Sequence, residues 1–133
     1  MTIAVLIIFK DEFKQRSFYD WLVSHISGSL PPHRYIGNLE LTRGFIKFTG
    51  IDTQLNAETE FLILKDSIEE VYHGYDETFN VTQTRGLGLG WAPVRIKFVD
   101  NNEKENVAYF ITGYNAWRST NQDFYNFLMD WLS

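Results

Sequence analysis

At 133 residues the chain has the size of one domain, long enough to bury well over half of its unfolded-chain surface around a single core. Hydrophobic residues at 44%, charged residues at 22% and aromatics at 17% exclude global disorder and shift the core towards Phe, Tyr and Trp. A formal charge of −5 opposes the counterion release that nucleic acids reward and the attraction of anionic lipids, so nucleic acid is not expected as a partner and anionic lipid is disfavoured. The charges balance up to His33, and the whole deficit lies beyond it. With no cysteine there is no disulfide framework, no thiolate nucleophile and no cysteine zinc site, and the default compartment is the cytoplasm.

The apolar run from Ile3 to Phe9 lacks a basic flank and a small-residue cleavage site, and is far shorter than the roughly 20 residues that cross a bilayer, so it reads as a buried strand or helix start. Residues 11–26 place Phe13, Phe18, Trp21, Leu22 and Ile26 near one helical face, opposite Glu12, Lys14, Arg16 and Asp20, which predicts an amphipathic helix. Gly28 and Pro31-Pro32 end it.

From Tyr35 the period changes to two. Leu39 and Leu41 alternate with Glu40 and Thr42, Arg43-Gly44 offers a turn, and Phe45 to Phe48 resumes the extended pattern, predicting a hairpin. Further strands are expected over 60–64, 68–75, 78–84, 94–99 and 107–112, which with the hairpin arms makes about seven. Finally Phe124, Phe127, Leu128, Trp131 and Leu132 share an apolar helical face, with Ser119 and Gln122 or Thr120 and Asp123 as the capping pair. The expected fold class is α+β, an antiparallel barrel or sandwich of about seven strands with a C-terminal amphipathic helix and an N-terminal strand or helix extension. A loose joint near 29–33 would divide an accessory segment, 1–33, from the main domain, 34–133.

The motif Ile36-Gly37-Asn38-Leu39-Glu40-Leu41-Thr42-Arg43-Gly44-Phe45-Ile46-Lys47-Phe48-Thr49-Gly50 resembles the opening hairpin of GRAM domains, where a Gly-x-Leu-x-Leu-Thr run turns into an apolar strand. Phe61-Leu62-Ile63-Leu64-Lys65-Asp66-Ser67-Ile68-Glu69-Glu70-Val71 is similar to the next landmark of that family. Seven strands and a closing helix are also the pleckstrin-homology order. The resemblance covers about 35–133 and implies a PH-like fold that presents loops or a groove to a protein, peptide or lipid. Phosphoinositide-binding members carry several Lys and Arg residues around the first hairpin, whereas this one has Arg43 and Lys47 beside Glu40, which argues against inositol lipids.

No spacing points to catalysis, a cofactor or a metal. Gly86-Leu87-Gly88-Leu89-Gly90 leads into Pro93 and a strand pattern, not the helix whose N-terminal amides would hold a phosphate. His25, His33 and His73 are too scattered for a metal motif, and the carboxylate pairs Glu69-Glu70 and Asp76-Glu77 would point to opposite faces of a strand and act as edge solubilisers. Residues 100–105 read as a polar hairpin loop without calcium-ligand spacing. Asn80-Val81-Thr82 is a glycosylation sequon of consequence only in a secreted chain.

The expected function is therefore a non-catalytic binding or scaffolding module for a protein or peptide. The alternative is a small-ligand-binding protein or enzyme in which the 11–26 helix packs into a curved sheet. Exposed strand edges and aromatics also allow a homodimer. The candidate partner-binding residues are Arg85, Leu87, Leu89, Trp91, Arg95 and Lys97. Three basic residues and no acidic one lie between Glu77 and Asp100, and Trp91 with Arg95 would anchor an acidic peptide or an anionic headgroup. A structural reading stands beside it, in which the glycines form a bulge and the leucines fill the core.

Overall fold

Seven stretches form strands of one antiparallel sheet among the residues that the computed structural model describes, which are 2–13, 33–79, 92–113 and 120–133. They are β1 (Thr2–Phe9), β2 (Tyr35–Leu41), β3 (Phe45–Asp52), β4 (Ala57–Leu64), β5 (Ile68–His73), β6 (Val94–Val99) and β7 (Glu105–Thr112). A helical turn, α1 (Lys10–Phe13), follows β1, and a helix, α2 (Asn121–Leu132), closes the described chain. The spatial order is β4-β3-β2-β1-β7-β6-β5, a curled half-barrel with a C-terminal helix, which is the expected PH-like α+β architecture.

The strands that alternate in sequence alternate in burial. In β6, Val94, Ile96 and Phe98 are buried while Arg95, Lys97 and Val99 are only partly so. In contrast, β1 is apolar at nearly every position because it is covered on both faces, with Val5, Leu6, Ile7 and Ile8 all buried. It pairs with β2 through Val5↔Gly37 and with β7 through Ile7↔Phe110.

The apolar run expected as a buried strand or helix start is a strand, β1, at the centre of the sheet. Of the strand expected over 78–84, Thr78 and Phe79 lie in a bend and the remainder falls outside the described residues. The 11–26 helix beyond Phe13, the joint at 29–32, the sequon and Ser119 also lie outside the described residues.

Inside the curl, Val5, Ile7, Leu39, Ile46, Phe48, Ile63, Ile96 and Phe110 meet Phe124 and Leu128 of α2. Each such side chain contributes about 1.5–3 kcal/mol on burial. The concavity is therefore occupied there by the C-terminal helix. On the opposite face Leu6, Ile8, Tyr109 and Ile111 bury themselves with Phe79. The curl depends on a paired Gly37 and Gly50 in β2 and β3: a Cβ on Gly37 would overlap the carbonyl of Thr49, and one on Gly50 that of Ile36.

The face of α2 is centred on Phe124 and Leu128. Phe127, expected on the apolar face of the helix, is 41% exposed, since one residue's offset from Leu128 is roughly 100° around a helix of 3.6 residues per turn. Trp131 is partly buried and donates its indole N–H to the carbonyl of Thr42 at 2.6 Å, with the Lys65 ammonium 5.3 Å from its ring centre.

Thr120 takes the N-cap position without a capping side-chain bond, and its hydroxyl lies 3.0 Å from that of Thr112. The helix start is latched instead by buried Asn121, which accepts from the Thr112 amide at 2.7 Å and donates to the Ala92 carbonyl at 2.7 Å. No helix among the described residues is long and apolar enough to cross a membrane.

Candidate functional site

Of the six residues singled out for partner binding, Arg95 and Lys97 are described, and Arg85, Leu87, Leu89 and Trp91 lie outside the described residues. Arg95 and Lys97 share the face of β6 opposite Val94, Ile96 and Phe98, as their spacing requires. Their electrostatic setting differs from the expectation. Arg95 donates to Asp76 at 2.9 Å and to Glu70 at 2.6 Å, and its guanidinium carbon lies 4.7 Å from the centre of the Tyr72 ring. Its charge is neutralised by two carboxylates from the neighbouring strand and loop, so it is not an open anchor for an acidic ligand. Lys97 makes no ion pair among the described residues.

Asp76 is the hub of this cluster. Besides Arg95 it accepts the Tyr109 hydroxyl at 2.8 Å and the backbone amides of Thr78 at 2.9 Å and Phe79 at 2.7 Å. Burial pushes its carboxyl upward in pKa, but the Phe79 amide, Arg95, Tyr109 and the Thr78 amide together outweigh that and hold it below the ordinary aspartate value. Burial, and then the bond to Asp76, raise the Tyr109 phenol far above its ordinary value. Among the described residues this geometry fastens β5, β6 and β7 to the bend at 76–79.

A second ionic cluster bolts the end of β1 to β2 and β3. Arg34 forms a two-pronged bond to Asp52, at 3.1 and 2.9 Å, and donates to Glu12 at 2.7 Å. Glu12 also accepts the Tyr35 hydroxyl at 2.8 Å and the Phe9 amide at 2.8 Å. The Arg34 bond is the main cause that holds the Asp52 carboxyl below its ordinary value, with the Leu55 and Gln54 amides adding to it. Burial and then Glu12 raise the Tyr35 phenol. Among the described residues no group of His, Asp and Glu is arranged to hold a metal ion.

What remains open is the margin of the sheet. One margin is β5, and it is guarded: its register shifts between Ile68 and Glu70, α2 packs against it, and His73 at its end lies 3.0 Å from the Gln122 side chain and stacks near Tyr125. The other margin is β4, eight residues long and regularly paired with β3 along its whole length. Its outer face carries, in order, Glu58, Glu60, Leu62 and Leu64, all exposed, Leu62 at 53% and Leu64 at 49%. Behind them on β3 stand Ile51, Thr49, Lys47 and Phe45 in register. The Lys47 ammonium is a loose 3.9 Å from Glu60, whose side chain is 66% exposed.

This strip was not among the residues singled out from the sequence, where Leu62 and Leu64 stand as part of the strand expected over 60–64. A signal was present: Ala57 to Phe79 holds Glu58, Glu60, Asp66, Glu69, Glu70, Asp76 and Glu77 against a single Lys65, the densest acidic stretch of the chain. The two margins of the sheet both fall within it. No family model, curated protein or solved structure matches the chain.

Proposed function

We propose that this chain is a non-catalytic binding module, related to PH-like and GRAM-like domains, that docks an extended segment of another protein on the free edge of β4. The observation that carries this reading is the edge itself: eight residues whose outward N–H and C=O groups no strand pairs among the described residues, beside two half-exposed leucines. Such an edge is a template for strand addition, in which main-chain hydrogen bonds supply affinity and alternate side chains supply specificity. The GRAM-like hairpin pattern at 36–50 and the order of elements support the kinship. A chain without cysteine has no need of an oxidising compartment, which supports a cytoplasmic setting.

The test is photo-cross-linking in cells with a benzophenone amino acid placed at Leu62, and as a control at Leu55, which is 68% exposed in the β3–β4 turn. A discrete adduct from position 62 and none from position 55 supports docking on β4. Equal labelling from both positions, or none from 62, overturns it.

A further inference from the structure

We infer that the segment received by β4 is basic and extended, with two apolar residues at alternate positions followed by two Lys or Arg residues at alternate positions. This inference rests on the reading of β4 as the docking edge and adds the chemistry of the occupant. A strand added to β4 would lie about 4.8 Å away, and side chains directly opposite one another would have Cβ atoms about 4.5–5.5 Å apart. On the outer face it would meet Leu64, Leu62, Glu60 and Glu58 in that order if it ran antiparallel. Apolar residues opposite the leucines would cover half-exposed carbon surface, and cations opposite the glutamates would reach two carboxylates that face Ile51 and Thr49 in register on β3, with Lys47, opposite Leu62, reaching Glu60 only diagonally. That pair, at 3.9 Å and largely in solvent, holds little energy and yields readily to a competing cation.

Charge selects among the occupants. A second copy pairing β4 with β4 antiparallel over residues 58–64 would set Glu58 opposite Leu64 and Glu60 opposite Leu62, so neither the leucines nor the glutamates would meet a matching partner, and it would bring two net-acidic stretches together, which disfavours pairing. Nucleic acids and anionic membranes meet the same repulsion. A basic segment is the partner that turns this field into an attraction.

The experiment uses isothermal titration of the full chain with a capped peptide of sequence leucine-threonine-valine-threonine-lysine-threonine-arginine, and with its counterpart in which both cations are glutamate. It is repeated on the double variant Glu58→Lys, Glu60→Lys. Both glutamates are exposed, so the variant should melt with the parent, and a melting curve checks that it does.

The parent should bind the basic peptide at least tenfold more tightly than the acidic one, with the advantage shrinking as salt rises, and the variant should invert the preference. Equal affinities, no binding of either peptide, or a preference that the variant leaves unchanged overturns the inference. If a cross-link at position 62 is nonetheless obtained, the docking edge stands and only the chemistry of its occupant fails. Sedimentation showing a dimer that Leu62→Lys dissociates would give the edge to a second copy and also overturn the basic partner.

Discussion

The two margins of the sheet are built to opposite ends. At β5 a register shift, a packed helix and a partly buried carboxylate hub leave little for another chain to pair with: Arg95 is held by two carboxylates at 2.6 and 2.9 Å, and His73 reaches the first turn of α2. At β4 the ladder is regular, the nearest ion pair is 3.9 Å long, and two leucines face solvent. Both margins come from one acidic stretch of sequence, so charge alone does not separate them. The difference teaches that the β5 margin is closed by directional polar contacts and a packed helix, whereas β4 has no strand beyond it among the described residues. Substitutions on the β5 side should therefore cost stability and spare binding, and substitutions on β4 should do the reverse.

The largest expected effect lies where α2 closes the curl. Phe124→Ala should cost about 3–5 kcal/mol, read from chemical denaturation, because Phe124 is buried against Phe110. Trp131→Ala should cost less, about 2 kcal/mol, since its ring is partly exposed and its main loss is the bond to Thr42. A larger loss at Trp131 than at Phe124 would mean that the helix packs on a different face.

Next comes the hub of the guarded side. Asp76→Ala leaves Arg95, the Tyr109 hydroxyl and two amides without their shared acceptor, and should destabilise by about 3 kcal/mol. Thermal melts of Asp76→Ala and of Asp76→Ala with Arg95→Met check this, because the double variant should recover part of the loss by removing a cation that has lost one of its two carboxylate partners.

The pH dependence has the same origin. Asp52 and Asp76 have folded-state pKa values below the ordinary 3.8, so the unfolded chain takes up protons first and stability should fall as pH drops below about 4. Tyr35 and Tyr109 have folded-state values above the ordinary 10.0, so the unfolded chain loses protons first and stability should also fall as pH rises above about 10. Melting temperatures across pH 2–11 should trace a plateau with two shoulders, and Asp52→Asn should flatten the acid one.

The smallest effects belong to the open side. Lys47→Ala should change stability by no more than about 0.5 kcal/mol, since its pair with Glu60 is long and exposed. Leu62→Lys should leave the melt nearly unchanged while abolishing the cross-link expected nearby, for instance from Leu64. A marked loss of stability at either position would show that β4 is not a free edge.

Much of this architecture is legible in the sequence, and the parts that are not share a cause. Local periodicity identifies β6 from Val94, Ile96 and Phe98 against Arg95 and Lys97, and α2 from Phe124 and Leu128. It does not say which strands become neighbours. Thr2–Phe9 reads as buried, yet its place between β2 and a strand about 100 residues further on depends on the whole topology.

The same blindness affects charge. The positive patch counted along 77–100 ignores Glu70 and Asp76, which the pairing of β5 with β6 and the bend after it bring onto Arg95. Leu62 and Ile63 stand in one apolar run; the strand order shows that, among the described residues, no strand lies beyond β4.

The contrast between the margins is tested most directly by amide hydrogen exchange, followed residue by residue on the full chain, alone and with the basic peptide. Alone, alternate amides of β4 that point away from β3 should exchange rapidly while the amides of β5 that pair with β6 are protected, and the peptide should slow the outward β4 amides and leave β5 as it was. Slow exchange of the outward β4 amides in the chain alone, or protection that appears on β5 when the peptide is added, would contradict the assignment of β4 as the receiving edge.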